Sequence, residues 1–401
     1  MTGARNWALI MALVVGLATA ARNLPASEPG ASEKQPAKKS MTTISCDDVR
    51  IALAPYVWKC TGSGATARAE ATLPGAYLKL AFQNSSTLGL LVDGTANIKC
   101  PSSGMPVVDY SVDDGPFKTI QLTNTGEVYA LPLAQGLEAG KQHRVEFYFR
   151  AASFNVDRWA GATGHLRIAG VQLDEGTSLV APRQRTKKAI AFGDSITEGV
   201  NVEGSVPFYS NLLMNNARCT WFPIVSAALD CEYGQLGTGG QGMIRTNTPM
   251  PPLPQTWDHY DSATSRLTNG LLTPQPDYVY CAMGTNDFEE KQKRLKHMDI
   301  TMAYTQWLAS VRKSCPKAII FCITPPLGWH APEIQAAVTA RKRAGDQEVH
   351  LIDTAPLKAG FRAADTATSL AGDGVHPTLY GNAMLGAFIA VEAQKVLSRT
   401  H

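Results

Sequence analysis

Four solidly apolar runs in the second half of the chain constrain its fold more than any other feature. They are residues 189–192, 278–283, 318–323 and 349–352. Helix-like segments separate them, and the chain ends in an amphipathic segment, NAMLGAFIAVEAQKVL. Strands that are apolar on both faces and alternate with helices predict a parallel sheet covered by helices on both sides. The sequence therefore indicates an α/β fold for this half.

The first half has a different pattern, with short strands that are apolar on one face only. In AYLKLAF the side chains of Leu78, Leu80 and Phe82 share a face, and RVEFYFR alternates in the same way. Asp-Gly pairs at 93–94 and 114–115 are typical of hairpin turns. Several such strands without intervening helices predict a β-sandwich over residues 46–183, ahead of an α/β domain over 184–401.

The first 45 residues are predicted to lie outside both domains. Residues 1–20 combine one early arginine, an apolar run from Trp7 to Leu17, and Ala18-Thr19-Ala20, which together indicate a signal peptide cleaved after Ala20. The alternative, a membrane anchor, needs a longer apolar run, so we expect no stable membrane span after cleavage. Residues 21–45 are rich in Ala, Ser, Pro and Lys and predict a flexible linker. The expected location is extracellular or periplasmic.

Eight cysteines in an exported chain permit disulfide bonds. Cys46 with Cys60 and Cys219 with Cys231 could form local bridges, whereas Cys281 and Cys322 lie in apolar runs and are expected to be buried thiols. No Cys/His spacing typical of a metal site occurs, and nothing indicates an organic cofactor, so none is predicted. The net charge is only +3, and no basic stretch is interleaved with aromatic residues, which argues against nucleic-acid binding.

Polar residues follow the apolar runs at the positions where the strands should end. The four groups are Gly193-Asp194-Ser195, the stretch GQLGTGGQG at 234–242, Gly284-Thr285-Asn286-Asp287, and Asp373-Gly-Val-His376-Pro. In open parallel sheets, ligands bind outside the carboxyl ends of the strands. These groups are therefore expected to meet at one edge of the sheet.

The four groups contain every part that acyl transfer by a serine requires. Ser195 can attack, His376 can take its proton, and Asp373 can orient the histidine from three residues away. The backbone N–H of Ser195, a glycine N–H within 237–242 and the Asn286 amide can stabilise the oxyanion.

Each of these residues also has a structural interpretation. An isolated Gly-Asp-Ser is a weak signal, since Asp194 or Ser195 could simply cap the next element. His376 could cap the final helix, and Asn286 could be a turn residue. Asp353 and Asp365 are alternatives to Asp373, and the glycine donor could be Gly237, Gly239 or Gly240. Asp194 and Asp287 are expected to fix their loops, and Trp257 and Trp329 either border the site or pack in the core.

In this order and at these spacings, the residues resemble the SGNH superfamily of GDSL-type hydrolases. Its serine, glycine, asparagine and terminal Asp-x-x-His blocks match Ser195, Gly240, Asn286, and Asp373 with His376. The serine block has isoleucine where the family name has leucine, and the asparagine often found before the glycine is absent. The β-rich region before it resembles the jelly-roll of bimodular family-two carbohydrate esterases. The resemblance implies a three-layer α/β/α hydrolase domain after a jelly-roll-like sandwich.

The function that the resemblance implies is a secreted serine esterase that removes acetyl groups from O-acetylated polysaccharides or oligosaccharides. One alternative is a GDSL-type lipase or lysophospholipase, which would need a wide apolar surface for an acyl tail. Another is a carbohydrate-binding protein with a vestigial hydrolase domain. An α/β-hydrolase is disfavoured because Gly-x-Ser-x-Gly does not occur in the chain.

Overall fold

The computed structural model describes residues 40–161, 163–204, 211–287, 297–361 and 369–399. The predicted signal peptide and residues 21–39 of the predicted linker lie outside this part of the chain. Residues 41–45, which the sequence assigned to the linker, instead form a strand that pairs with the sandwich, so the linker prediction is wrong for these five residues. From Met41 onward the chain forms one compact unit. The boundary at 183–184 stays a prediction.

The region up to residue 180 contains short antiparallel strands. They are β1 (Met41–Ser45), β2 (Ala52–Leu53), β3 (Lys59–Thr61), β4 (Arg68–Ala71), β5 (Tyr77–Gln83), β6 (Thr87–Asp93), β7 (Val107–Val112), β8 (Lys118–Gln121), β9 (Val128–Gln135), β10 (His143–Ala151), β11 (Leu166–Asp174) and β12 (Ser178–Val180).

These strands form two antiparallel sheets, as the alternating pattern predicts. One has the order β3-β4-β11-β6-β9 with β1 on β11, and the other has β12-β5-β10-β7-β8 with β2 on β5. In the second sheet Leu78 pairs with Phe147 and Leu80 with Val145, and all four side chains are buried. The side chains predicted to share a face therefore meet in one apolar core.

The region after residue 183 contains the remaining described strands and the helices. The strands are β13 (Lys187–Gly193), β14 (Cys231–Gly237), β15 (His259–Asp261), β16 (Thr264–Ser265), β17 (Leu267–Thr268), β18 (Leu271–Leu272), β19 (Tyr278–Ala282), β20 (Ile319–Ile323) and β21 (Val349–Ile352). The helices are α1 (Ser195–Glu198), α2 (Trp221–Ala228), α3 (His297–Ser314), α4 (Ala331–Arg343) and α5 (Leu379–Leu397).

The main element of this region is a five-stranded parallel sheet with the order β14-β13-β19-β20-β21. The four strands predicted from the apolar runs are confirmed. The fifth, β14, was missed because CEYGQLG holds two glycines and a glutamate, which are depleted in strands. The strand order reverses beside β13, so the crevice outside the ends of β13 and β19 is where such a sheet binds ligands.

The antiparallel region packs directly against β14. Tyr77 Oη donates a hydrogen bond to Glu232 Oε2 at 2.5 Å, and Lys79 Nζ lies 2.8 Å from Glu232 Oε1. The rings of Tyr77 and Tyr233 are 4.9 Å apart, and buried apolar residues of both regions belong to one continuous core. The carboxylate of Glu232 in β14 is thus paired with polar groups of the sandwich.

All eight cysteines lie in the described residues, and all are free thiols. The two disulfides that the sequence left open are therefore not formed. Cys231 Sγ instead lies 3.3 Å from Leu229 O, while Cys281 and Cys322 are buried thiols, as expected. Among the described helices, none is long and apolar enough to cross a membrane.

Candidate active site

The turn after β13 places Ser195 at the first position of helix α1. Gly193 leaves no room for a side chain, since a Cβ there would lie 1.9 Å from Thr197 Oγ1. Asp194 is extended, and its Oδ1 accepts a hydrogen bond from Ile196 N–H at 3.0 Å. The Gly-Asp-Ser sequence therefore makes an abrupt strand-to-helix turn that delivers Ser195 to the edge of the sheet.

The three residues predicted to act on the acyl group meet at this edge. Ser195 Oγ lies 2.8 Å from His376 Nε2, and His376 Nδ1 lies 2.7 Å from Asp373 Oδ2. Because a carboxylate only accepts, His376 Nδ1 carries the hydrogen and Nε2 is left to accept from the serine hydroxyl. Both Ser195 and His376 are buried. This arrangement has the geometry of a nucleophile, a base and an orienting acid.

Asp373 is held as a carboxylate by the groups around it. Burial alone would raise its pKa, but the His376 side chain and the backbone N–H groups of His376 and Val375 hold the pKa of Asp373 well below its usual range. Asn201 Nδ2 also donates to Asp373 Oδ2 at 2.7 Å. Asn201 has a positive φ of 54°. Sequence analysis missed this residue because it belongs to no recognisable motif.

The alternative acids do not occupy this position. Asp353 Oδ1 accepts from Thr324 Oγ1 at 3.2 Å and from Ala355 N–H at 3.0 Å. Asp365 lies outside the described residues. Of the described candidates, Asp373 is the one bonded to His376.

The turn after β14 distinguishes among the three candidate glycines. Gly239 N–H already donates to Glu198 Oε2 at 2.5 Å. Gly237 is the last residue of β14, and a Cβ there would lie 2.2 Å from Glu198 N. Gly240 has a φ of +75°, a conformation that favours glycine. The Gly239 N–H is thus already bonded to a carboxylate, and Gly240 stays the predicted oxyanion donor.

Asn286 follows β19 and is linked to the same turn. Its Nδ2 donates to Gln241 O at 2.9 Å, which leaves the second hydrogen of this nitrogen for another acceptor. Next to it, Asp287 is fully buried and accepts from Met243 N–H at 2.9 Å and Ile244 N–H at 3.0 Å. Asp287 thus fixes the loop after β14, as expected, and Asn286 is held beside Gly240.

Asp194 differs from Asp373 in its surroundings. Its side chain is completely buried, and burial raises the pKa of Asp194 to about 6. Within the described residues, its Oδ2 has no hydrogen-bond partner. The Ile196 N–H, the Thr285 side chain and the charge of His376 lower the pKa of Asp194 but do not offset its burial.

Of the two tryptophans, Trp257 packs in the core. It is buried, and its ring contacts Phe192 and Trp307 with centroid distances of 6.0 and 6.5 Å. Trp329 is half-buried, and its backbone oxygen would lie 3.6 Å from a Cβ on Gly284, so it borders the loop that carries Asn286.

Residues 191–384 match the GDSL-like Lipase/Acylhydrolase family. This region is similar to the hydrolases of that family, and the match covers just under half of the chain. The predicted hydrolase domain is thereby confirmed, and the matched part of the chain contains Ser195, Gly240, Asn286, Asp373 and His376.

Two curated proteins are similar in sequence to this chain. "Cellulase/esterase CelE" of Acetivibrio thermocellus is 24% identical over 315 residues, which cover 75% of this chain and 36% of that protein. "Acetylxylan esterase / glucomannan deacetylase" of Cellvibrio japonicus is 26% identical over 241 residues, which cover 55% of this chain and 59% of that protein. The matches therefore span less than two thirds of either relative.

One solved structure confirms the two-part fold. A family two carbohydrate esterase from Cellvibrio japonicus has a TM-score of 0.73 at 20% identity, and the alignment covers 91% of this chain and 100% of that one. The expected combination of antiparallel sheets and a parallel-sheet domain is thus confirmed over nearly the whole chain.

Proposed function

We propose that this protein is a secreted serine esterase that removes acetyl groups from O-acetylated carbohydrate. The observation that carries the proposal is the chain of hydrogen bonds from Ser195 Oγ through His376 to Asp373, at 2.8 and 2.7 Å. The names of the two curated relatives, an acetylxylan esterase and a cellulase/esterase, support the substrate class. Export rests on the apolar segment within residues 1–20.

In the proposed reaction, Ser195 Oγ attacks the acetyl carbonyl carbon as His376 Nε2 takes its proton. The tetrahedral intermediate collapses, the bond to the sugar oxygen breaks, and His376 returns the proton to that oxygen. Water then attacks the acetyl-serine with His376 again acting as base, which releases acetate and restores Ser195. Asp373 stays ionised throughout and stabilises the imidazolium.

The negative oxygen of the intermediate would be stabilised by three donors. These are the backbone N–H groups of Ser195 and Gly240 and the second hydrogen on Asn286 Nδ2. Their value lies in being held in place before the charge develops, so that no reorganisation is needed during the reaction. The bond from Asn286 to Gln241 O supports this role because it fixes the amide against the Gly240 turn.

The chain length of the acyl group tests this proposal against a lipase. Initial rates would be compared for nitrophenyl esters of two to twelve carbons, with Ser195→Ala as the blank, followed by acetate release from acetylated xylan. We expect the highest kcat/KM at acetate and measurable release from the polymer. A maximum at eight or more carbons would indicate a lipid substrate. Tight polymer binding without turnover of any ester would indicate a vestigial hydrolase.

A further inference from the structure

A buried ion pair joins the loop between β10 and β11 to helix α1. Arg158 Nη2 lies 2.7 Å from Glu198 Oε1, and the two side chains are only 4% and 3% exposed. Within the described residues, no other carboxylate pairs with Arg158, and its Nη1 is buried without a partner. Glu198 stands three residues after Ser195 in the same short helix. A cation of the antiparallel region therefore reaches the element that carries the nucleophile.

The same glutamate holds the turn that contains Gly240. Its second oxygen, Oε2, accepts from Gly239 N–H at 2.5 Å. A Cβ on Gly239 would lie 1.8 Å from Phe154 Cε1, so Phe154 covers this glycine from the loop that also carries Arg158. The turn is thus fixed on one side by a carboxylate and on the other by an aromatic ring.

The loop that carries Arg158 is itself anchored in the sandwich. His165 is fully buried, and its Nε2 lies 2.9 Å from the backbone oxygen of Arg158. Its Nδ1 lies 2.5 Å from Glu70 Oε1, and Glu70 also accepts from Arg167 at 2.8 Å. A continuous series of buried polar contacts therefore runs from β4 through Arg158 and Glu198 to the turn after β14.

We propose that Arg158 and Glu198 are positioning residues that hold the Gly239–Gly240 turn, so that the antiparallel region completes the oxyanion site of the hydrolase. This inference rests on the proposed function and adds a residue pair that no catalytic motif predicts. Neither residue contacts the reacting atoms in this role. Glu198 acts through the Gly239 amide, and Arg158 acts through Glu198.

The physical reason is the cost of a buried charge. Burial raises the pKa of Glu198, and the Arg158 charge and the Gly239 amide oppose that rise. Without Arg158, Glu198 would have to take up a proton or turn towards water, because an unpaired buried carboxylate is strongly unfavourable. Either change weakens the charge-assisted hydrogen bond to Gly239 and loosens the turn next to Gly240.

The test is a double-mutant cycle of Arg158→Met and Glu198→Gln with nitrophenyl acetate. For Arg158→Met we expect kcat to fall about 10- to 100-fold with KM within about threefold, the pattern of a lost transition-state interaction. The double variant has no buried charge and keeps an acceptor for Gly239 N–H. It should recover kcat to within about tenfold of the wild type.

The pH profile separates positioning from general destabilisation. In Arg158→Met the ratio of mutant to wild-type kcat should fall from pH 6 to pH 9, because Glu198 ionises without a partner. In the double variant this ratio should be flat. A folded Arg158→Met with wild-type kcat, or a double variant no better than the single one, would overturn the proposal. If Arg158→Met does not fold, the double variant and Glu198→Gln decide, since a double variant with less activity than Glu198→Gln would also overturn it.

Lys79→Met is the matched control, because it breaks an ion pair between the same two regions at the other end of β14. Lys79 pairs with Glu232 near the start of the strand, about 16 Å from Gly237 at 3.3 Å per residue. We expect lower resistance to urea and an unchanged kcat. A loss of kcat matching that of Arg158→Met would overturn the proposal.

Hydrogen exchange makes the outcome independent of the enzymatic reaction. The Gly239 amide should exchange faster in Arg158→Met than in the wild type and at the wild-type rate in Lys79→Met. If the wild-type protein hydrolysed no ester but showed this difference, the proposed function would fail and the positioning would stand. Equal exchange in an active wild type and Arg158→Met would reject the positioning alone.

Discussion

The carboxyl edge of the parallel sheet and the side of β14 that meets the sandwich are both rich in buried polar groups. At the edge, each group belongs to a short motif, such as Asp373 three residues before His376. On the side of β14, the partners are ordinary strand and loop residues far apart in the chain, such as Tyr77 and Glu232, which are 155 residues apart. This difference shows that the candidate catalytic groups can be recognised from local sequence, whereas the long-range contacts between the sandwich and β14 cannot.

The largest expected effect on kcat comes from replacing the candidate triad residues at the edge of the sheet. Ser195→Ala and His376→Ala should each lower kcat by roughly 10⁴- to 10⁶-fold, and the double variant should be little worse than either, because the two act as one unit. Asp373→Asn should cost less, since Asp373 orients the histidine and does not react. Initial rates on nitrophenyl acetate provide the measurement. Independent, multiplicative losses would contradict a shared proton transfer.

Asn286→Ala tests whether the asparagine that follows β19 stabilises the oxyanion, as proposed. We expect kcat to fall roughly 100- to 1000-fold while KM changes little, because the amide would contact the oxygen only after it becomes negative. The control is Asn124→Ala, in the sandwich, whose Nδ2 donates to Cys100 O at 3.0 Å far from this turn in the chain. An effect of Asn286→Ala confined to KM would make it a substrate-binding residue instead.

Removal of the sandwich tests the contacts that it makes with β14. The 184–401 fragment would expose Tyr233 and leave Glu232 without Tyr77 and Lys79, so it should be less stable and prone to aggregate. It also lacks Arg158, so any soluble fraction should have about 10- to 100-fold lower kcat on nitrophenyl acetate. The loss on acetylated xylan should be larger still. A soluble fragment with full activity on the polymer would show that the sandwich is a separable module.

Sequence reasoning predicted the two-part fold because each half has a distinct hydrophobic period. It identified Ser195, Asn286, Asp373 and His376 because their side-chain types are those that acyl transfer requires, and they follow apolar runs. Residues 191–384 are also the part that matches a known family. Their catalytic roles stay predictions, which the variants above test.

The missed features have a common physical cause. Strand β14 carries Glu232 and two glycines, and it pairs along its length with β13 while Tyr77 and Lys79 from the other region bond to that glutamate. The contacts of Asn201 with Asp373 and of Arg158 with Glu198 join residues that are far apart in the chain. Such contacts arise only when the chain is folded, so no local pattern indicates them. The five residues of β1 were assigned to a linker for the same reason, since their partner is the distant strand β11.

The smallest expected effect is that of replacing Asp194. The pKa of this carboxyl is raised, whereas the pKa of Asp373 on the same edge is lowered. The pKa of Asp194 is raised by burial to about 6, against an ordinary value of 3.8, so the folded protein binds this proton more tightly than the unfolded chain. The contribution of Asp194 to stability is therefore lost as pH rises from about 4 to 6. Asp194→Asn keeps an Oδ1 acceptor for Ile196 N–H and removes the charge.

Urea unfolding of the wild type and Asp194→Asn at pH 4 and pH 7 measures this difference. Relative to the wild type, Asp194→Asn should gain about 2 kcal/mol of unfolding free energy between the two pH values, since each pKa unit corresponds to about 1.4 kcal/mol and the unfolded chain is already partly ionised at pH 4. Asp373→Asn should instead be less stable than the wild type at both pH values. The low pKa of Asp373 means that its contribution is present above its ordinary pKa of 3.8 and is lost only in stronger acid. Equal pH dependence in the wild type and Asp194→Asn would mean that the buried carboxylate finds compensation at neutral pH, and that the two acids of the edge differ in position but not in environment.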